Sequence, residues 1–196
     1  MAYHIHHTEG IILGSVNTGE SNKFLYLFTG KLGRVGAVAQ AVRGISSKLR
    51  YSLQDYALVR ADMVRGKTSW RITSAQPLHA LGGISPSKEQ RRATARACTL
   101  LRRLCPEEQE AELLWREVLA GLIFLHKTEL TPEEVRCFEI MMAITILTHL
   151  GYWNTAEEWS ENLYDREWSK ELLDEIIPVR AHAVREIHAS LADSHL

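Results

Sequence analysis

Two apolar strand patterns joined by a tight turn, in residues 24–42, constrain the fold of this chain more than any other feature. Residues 24–29 carry aromatic and aliphatic side chains on both faces, which predicts a strand buried on two sides. Residues 30–33, Gly-Lys-Leu-Gly, predict a hairpin turn, and residues 34–42 predict the strand that follows it. We therefore expect a β-hairpin in the first half of the chain, as part of a β-sheet.

Three further strands are predicted within the first 75 residues. They cover residues 3–13, about 53–64 and 70–75, with a turn at Arg65-Gly66-Lys67 between the last two. Five short strands in this length suggest a small closed barrel. The OB-fold is the commonest five-stranded barrel of this size that binds nucleic acids. An SH3-like barrel has the same number of strands and stays open as an alternative.

The pattern changes to helices after a linker at Pro77 and Gly82-Gly83. Apolar residues then recur at helical spacing, and Ser87 and Thr131 begin patterns that are typical of capped helices. The predicted helices cover residues 87–104, 108–126, 132–150, a short segment from 155, 169–177 and 179–191. The predicted fold class is therefore α+β in two domains: an OB-fold nucleic-acid-binding domain at residues 1–78 and an all-α domain at residues 79–196.

Charge is distributed unevenly between these two predicted domains. Residues 1–80 hold ten lysines and arginines against four carboxylates, a net charge of +6, whereas residues 81–196 hold 13 against 20, a net charge of -7. A basic N-terminal segment and an acidic C-terminal segment indicate two units with different partners.

Cysteine use and hydropathy indicate the compartment. Cys98, Cys105 and Cys137 lie in apolar contexts without a Cys-x-x-Cys pattern, so we expect buried free thiols in a reducing environment. The N-terminus lacks a secretory signal pattern, and the longest apolar run, residues 140–150, is too short to span a membrane. A cytoplasmic protein without membrane contact is predicted.

A cationic segment follows the third predicted strand. Arg43, Lys48 and Arg50 are separated by small residues, Gly44 and Ser46-Ser47, which let a backbone approach closely while the charges spread outward. Such a surface suits nucleic acid, because neutralised phosphates release their counterions. From this segment alone, an ordinary solvated loop is an equally good interpretation.

Aromatic residues could add base stacking to these charges. The candidates are Phe24, Tyr26, Phe28, Tyr51, Tyr56 and Trp70. Most of them alternate in strands and are expected to fill the barrel, whereas Tyr51, beside Arg50, is expected to be exposed.

Arginines also cluster on the first predicted helix, where Arg92, Arg96 and Arg103 fall near one face. They could bind an acidic peptide or extend a DNA path. A solvated helix face is the competing interpretation.

No catalytic motif stands out. The segment His4-x-His6-His7 could place two imidazoles on one strand face, but only Glu9 is spaced to join them, so a solvent-facing strand is the better interpretation. The chain has no phosphate-binding glycine motif and no signature around a serine or cysteine nucleophile. We therefore expect no metal, no cofactor and no enzymatic activity.

The first 75 residues resemble the N-terminal OB domain of the RecO family of bacterial recombination mediators. The order and spacing of several short pieces carry the resemblance, and no piece is specific alone. The pieces are Glu9-Gly10-Ile11-Ile12-Leu13, Gly19-Glu20-Ser21, Leu25-Tyr26-Leu27-Phe28-Thr29, Gly33-Arg34-Val35, Val38-Ala39-Gln40-Ala41-Val42-Arg43, Ser47-Lys48-Leu49-Arg50 and Leu53-Gln54-Asp55-Tyr56. An all-helical second half and a Leu-Gly at 150–151 agree with the family in type.

The resemblance implies a protein that binds single- and double-stranded DNA and anneals complementary strands. It also implies help in loading recombinase onto strands coated by single-stranded-DNA-binding protein, with RecR as partner, and a location at the nucleoid. The helical domain would receive the acidic tail of the single-stranded-DNA-binding protein. The residues expected to bind DNA are Arg34, Arg43, Lys48, Arg50, Tyr51 and Lys67, and those expected to bind the protein partner are Arg92, Arg96 and Arg103.

The chain departs from the family pattern in three ways. Many members carry a four-cysteine zinc site after the Leu-Gly, but residues 152–159 here contain no cysteine, so we expect no zinc and instead packing by Trp153 and Trp159. The usual proline after Leu-Gln is Asp55. The chain is also short for the family, which raises the possibility of a missing helix or partner surface.

Two other functions stay open. An OB-fold RNA-binding or protein-interaction module would bind DNA weakly, with little dependence on salt. An unrecognised enzyme that used the N-terminal histidines would contain a metal.

Overall fold

The structure is a computed structural model that describes residues 4–44, 47, 49–78, 86–153 and 167–193. The chain divides into two compact units. The barrel unit comprises residues 1–81 and 105–115, and the helical unit comprises residues 82–104 and 116–196. Residues 105–115 were expected in the helical domain, so their place in the barrel unit differs from the predicted division. The predicted boundary at residue 78 adjoins residues 79–85, which lie outside the described part of the chain.

Five strands form a closed barrel in the order β1-β2-β3-β5-β4. The strands are β1 (Ile5–Thr18), β2 (Asn22–Thr29), β3 (Gly33–Ala39), β4 (Leu58–Arg65) and β5 (Trp70–Pro77). All neighbours are antiparallel except β3 and β5, which pair in parallel through Ala37–Trp70, Val38–Arg71 and Ala39–Ile72. This is the five-stranded arrangement of an OB-fold, so the predicted fold class is confirmed.

The bounds of several strands differ from the sequence-based prediction, and β3 ends at Ala39, three residues before its predicted end. The strand β1 continues to Thr18, five residues beyond the predicted end, with an irregularity between Ile12 and Gly14. The strand β4 begins at Leu58 rather than near residue 53, because the one-turn helix α1 (Leu49–Ser52) occupies the connection and Leu53 turns into the barrel core.

The barrel interior is filled mainly by aliphatic side chains that alternate along the strands, together with Trp70. Leu25 and Leu27 of β2 face Val35 and Ala37 of β3, and all four are fully buried. The remaining members of this core are Ile12, Ala39, Val42, Leu53, Val59, Ala61, Met63, Trp70 and Ile72. Burial of this apolar surface provides the main free energy that holds the barrel together.

The described helices of the second half are α2 (Lys88–Leu104), α3 (Glu112–Lys127), α4 (Pro132–His149), α5 (Lys170–Ile176) and α6 (Arg180–Asp193). Two predicted capping boxes are confirmed. The Ser87 hydroxyl accepts from the Gln90 backbone N–H, and the Gln90 side chain accepts from the Ser87 N–H. Thr131 and Glu134 make the same reciprocal pair at the start of α4. Each cap satisfies N–H groups that a helix start otherwise leaves unpaired.

The core of the helical unit lies around α4, whose apolar side chains are buried along nearly its whole length. Phe138 packs against Trp168, with ring centroids 5.0 Å apart. Cys98 and Cys137 are buried here, as Cys105 is in the barrel unit, which confirms the expected burial of the cysteines. Trp153 is buried as expected, whereas Trp159 lies outside the described residues. Among the described residues, none of the helices is long and apolar enough to cross a membrane.

Candidate nucleic-acid interface

The aromatic residues of β2 lie outside the barrel, which corrects the expectation that they fill it. Because side chains alternate along a strand, burial of Leu25 and Leu27 inside the barrel places Phe24, Tyr26 and Phe28 on its outer surface. Phe28 is covered by Trp115 of the barrel unit, with centroids 5.8 Å apart. Phe24 and Tyr26 remain half-exposed and meet edge to face at 5.2 Å.

The ring of Phe24 is close to the backbone of the next strand at Gly36. A β-carbon at position 36 would stand 2.5 Å from Cζ of Phe24, so only glycine leaves room for the ring in this position. Phe24 is paired with Val38 in the sheet register, and Val38 is paired with Arg71 of β5. An aromatic ring, an aliphatic side chain and an exposed guanidinium therefore form one row across three strands.

We call this surface the β2–β3–β5 face and define it by Phe24, Tyr26, Gly36, Val38 and Arg71. A cavity of about 270 Å³ adjoins it at the β4–β5 hairpin. The cavity is lined by Val38, Gln40, Val64, Arg65, Gly66, Lys67, Thr68, Ser69, Trp70 and Arg71. In OB-folds the surface of strands 2 and 3, together with the β1–β2 and β4–β5 loops, is where oligonucleotides bind.

The connection after β3 adds an exposed cation at the end of β3. The Arg43 backbone N–H donates to the Ser21 carbonyl oxygen (3.0 Å), and its guanidinium donates to the Gly19 carbonyl oxygen (3.3 Å). These bonds hold the connection against the β1–β2 loop. Glu20, an exposed carboxylate, lies in that same loop, so the positive charge there is partly offset.

The helix α1 carries two more predicted residues. Arg50 is exposed, and Tyr51 is 79 % exposed, which confirms the expected exposure of that ring. The helix α1 contacts β5, the strand that contributes Arg71. Lys67 is exposed in the β4–β5 hairpin and lines the cavity. Lys48 lies outside the described residues. The DNA-binding role of all these residues stays a prediction.

Arg34 is engaged within the barrel unit. Its Nε donates to the Cys105 carbonyl oxygen (2.7 Å), and its Nη1 pairs with Glu107 (3.0 Å), while only 17 % of the side chain is exposed. Residues 105–111, which we call the acidic strap, run beside β3 here, and the Glu108 N–H donates to the Arg34 carbonyl oxygen (2.9 Å). This geometry favours a structural role for Arg34 over contact with phosphate.

Arg71, Phe24 and Val38 were missed as a group by sequence reasoning. The alternation of Trp70, Arg71 and Ile72 places Arg71 on the outer face of β5. That signal was present in the sequence. The parallel pairing of β3 with β5, which brings Arg71 beside Val38, joins strands more than 30 residues apart and has no local signature.

The arginines of α2 differ in their surroundings. Arg96 pairs with Glu139 (2.5 Å), whereas Arg92 and Arg103 are exposed and make no ion pair within the described part of the chain. Arg96 and Glu139 border an apolar groove of about 290 Å³ among α2, α4 and α6. Its other lining residues are Ala93, Ala97, Leu100, Ile140, Met142, Ala143, Val184, Ile187 and His188. The structure thus places one of the three arginines beside an apolar groove.

The N-terminal histidines are held by ordinary contacts. His6 packs edge to face on Trp70 at 4.8 Å, and Nδ1 of His7 lies 2.6 Å from the Asp62 carboxylate. Among the described residues, no group of three or more His, Cys, Asp and Glu side chains is arranged to hold a metal ion.

Cys105 and Cys137 are not activated as nucleophiles. Burial raises the pKa of the Cys105 thiol, against the opposing effect of the Arg34 hydrogen bond and charge. Burial likewise raises the pKa of the Cys137 thiol. A reactive cysteine needs a lowered pKa and access to its substrate, and these two groups show the reverse.

Comparison with known proteins identifies relatives of the barrel unit. Residues 1–81 match the family model described as "Recombination protein O N terminal". A protein named DNA repair protein RecO from Acetivibrio thermocellus is 27 % identical over 146 residues, which are 74 % of this chain and 57 % of the relative.

Two further proteins of the same name show a similar match. The one from Dehalococcoides mccartyi is 28 % identical over 145 residues, 74 % of this chain and 56 % of the relative. The one from Rubrobacter xylanophilus is 27 % identical over 115 residues, 57 % of this chain and 46 % of the relative. The chain spans about half the length of the curated relatives that it matches. Residues 1–81 thus carry a RecO N-terminal domain, and the chain is similar to proteins named DNA repair protein RecO over most of its length.

Proposed function

We propose that this protein acts in DNA repair by binding single-stranded DNA on the β2–β3–β5 face and annealing complementary strands. The observation that carries the proposal is the row Phe24–Val38–Arg71, bordered by Arg43 and Lys67. Aromatic rings beside cations are what a single strand requires, because bases stack on rings while phosphates are neutralised.

The proposed mechanism is physical and makes or breaks no covalent bond. Arg71, Lys67 and Arg43 would neutralise phosphates of a first strand, while Phe24 and Tyr26 stack on its unpaired bases. Reduced phosphate charge lowers the repulsion that opposes a second strand. Base pairing with that strand then replaces stacking on the protein. A duplex, whose bases are already paired, would be bound through its phosphates alone.

We propose that the helical unit binds a protein partner. Its groove combines apolar residues with Arg96 at the rim, which suits an acidic peptide that ends in an aromatic residue. We assign this groove to the tail of single-stranded-DNA-binding protein, with Arg92 and Arg103 as further cations. RecR and recombinase loading remain expectations from the family resemblance, and DNA as ligand would place the protein at the nucleoid in the cytoplasm.

The test combines binding with annealing. Anisotropy would be measured with a labelled single strand, the matching duplex and an RNA of the same sequence, and annealing would be followed by energy transfer between two labelled complementary strands. The proposal predicts tightest binding to the single DNA strand and faster annealing with protein. Phe24→Leu should weaken single-strand binding more than duplex binding. Tighter binding to RNA, or weak binding to all three probes without annealing, would favour the alternative functions.

A further inference from the structure

The acidic strap places a carboxylate against a cation of the candidate interface. The Glu108 carboxylate accepts a hydrogen bond from the Arg65 guanidinium and another from the Trp70 indole N–H (3.3 Å). Arg65 lines the same cavity as Lys67 and Arg71. One of the three cations at this cavity is therefore neutralised by the barrel unit itself.

The position of Glu108 is held by its backbone. Its N–H donates to the Arg34 carbonyl oxygen (2.9 Å), and its φ is 55°, in the left-handed region that side-chain-bearing residues seldom adopt. Such a conformation is unfavourable for a residue with a side chain and persists where surrounding contacts impose it. The strap contacts thus fix the carboxylate beside Arg65.

The pair is open to competition. Arg65 is 46 % exposed and Glu108 43 % exposed, and ion pairs at this level of exposure are weak. A phosphate group can accept the same guanidinium hydrogen bonds as a carboxylate. Arg65 also lies 5.4 Å from the centroid of the Trp70 ring, which keeps the guanidinium at the cavity when its partner changes.

We propose that Glu108 is an internal competitor of DNA phosphate for Arg65 and so limits the affinity of the interface. This inference rests on the proposed function. An annealing protein must release its duplex product, and a carboxylate that can replace phosphate on one cation favours that exchange. While Glu108 is paired with Arg65, the barrel neutralises one phosphate fewer than its cations would otherwise allow.

Glu108→Gln tests the proposal, with Glu110→Gln as the matched control. Both variants remove one negative charge from the strap, but Glu110 is exposed and makes no ion pair among the described residues. Affinity for a labelled single strand would be measured from 50 to 300 mM salt. Glu108→Gln should bind about threefold more tightly at low salt, with a log–log salt slope steeper by about 0.7, as expected for one more phosphate contact. Equal effects of the two variants would overturn the proposal.

Arg65→Gln completes a double-mutant cycle. Combined with Glu108→Gln it should remove the steeper salt slope, because no guanidinium is left at position 65 for a phosphate to bind. An equal change of the salt slope on Glu108→Gln with and without Arg65 would overturn the proposal. Glu108→Asn, which tolerates positive φ, repeats the test if Glu108→Gln lowers the melting temperature. Wild-type protein without salt-dependent binding would overturn the proposed function too, whereas wild-type binding with equal Glu108→Gln and Glu110→Gln effects overturns this inference alone.

Discussion

The ring of Phe24 lies over Gly36, so close that a β-carbon at position 36 would stand 2.5 Å from the ring. The absence of a side chain on one strand therefore fixes where an aromatic ring on the neighbouring strand is presented to solvent. In the proposed function Phe24 stacks on DNA bases, so Gly36 controls that stacking through the position of the ring.

Gly36→Ala should displace the Phe24 ring and weaken single-strand binding by about 1–2 kcal/mol, within the range known for one stacked base. Duplex binding should change less. Anisotropy with both probes measures the difference, and circular dichroism checks the barrel. Because Gly36 acts through Phe24, the double variant Phe24→Ala/Gly36→Ala should bind no more weakly than Phe24→Ala. Additive losses would contradict this relationship.

Arg34→Gln should lower the stability of the barrel and leave the salt dependence of DNA binding unchanged. The substitution removes a charged hydrogen bond to the Cys105 carbonyl oxygen and the pair with Glu107, for a cost of about 1–3 kcal/mol. Thermal unfolding and the salt slope of DNA binding would be compared with Lys31→Gln, which removes an exposed cation. An unchanged melting temperature together with a shallower salt slope of DNA binding would instead indicate that Arg34 contacts DNA phosphate.

Thr131→Ala should destabilise the protein by about 1 kcal/mol, because the hydroxyl accepts from the Glu134 N–H at the start of α4. Urea unfolding measures the loss. Thr99→Ala is the matched control, since the Thr99 hydroxyl donates to the Ala95 carbonyl oxygen inside α2 and caps no helix. Equal effects of the two substitutions would argue against the cap.

His126 should make stability depend on pH. The Thr94 hydroxyl donates to the Gln90 carbonyl oxygen (3.0 Å), so it accepts from Nε2 of His126 (3.1 Å), and Nδ1 is buried without a partner among the described residues. Burial lowers the pKa of His126 below its usual value. The unfolded chain therefore takes up the proton first, and stability falls as pH drops through about 6.5.

His126→Gln should flatten this pH dependence between pH 7.5 and 5.5. Urea unfolding of the wild type and the variant at several pH values measures the change. An identical pH profile for both proteins would show that the dependence comes from other groups.

The sequence was sufficient for features that depend on local chemistry. Ser87 with Gln90 and Thr131 with Glu134 were identifiable as capping boxes because cap and partner are three residues apart. A small closed barrel also followed from strand count and turn spacing, whereas the resemblance to the RecO family implied an OB-fold rather than an SH3-like barrel.

The faces of β2 were harder to predict. Leu25 and Phe24 are both apolar, so alternation alone could not show which of them enters the barrel. In the structure Leu25 points into the barrel, and Gly36 on the neighbouring strand leaves room for the Phe24 ring outside.

The acidic strap could not be predicted from local pattern at all. Glu107 and Glu108 follow a helix and precede another, which suggested a helical start. Their contacts with Arg34 and Arg65 join residues more than 40 positions apart. The strap can run this close to β3 only because residue 33 is glycine. A β-carbon there would stand 1.9 Å from the Gln109 carbonyl oxygen.

The most direct test of the account is the salt dependence of single-strand binding by Lys67→Gln/Arg71→Gln. Arg92→Gln/Arg103→Gln, which removes the same charge from α2, is the control. If the β2–β3–β5 face binds DNA, the first variant should lose affinity at low salt, and its log–log slope should become shallower by about 1.4, two phosphate contacts at about 0.7 each. The control should keep the wild-type slope. Equal slopes for wild type and both variants would show that DNA does not bind at this face.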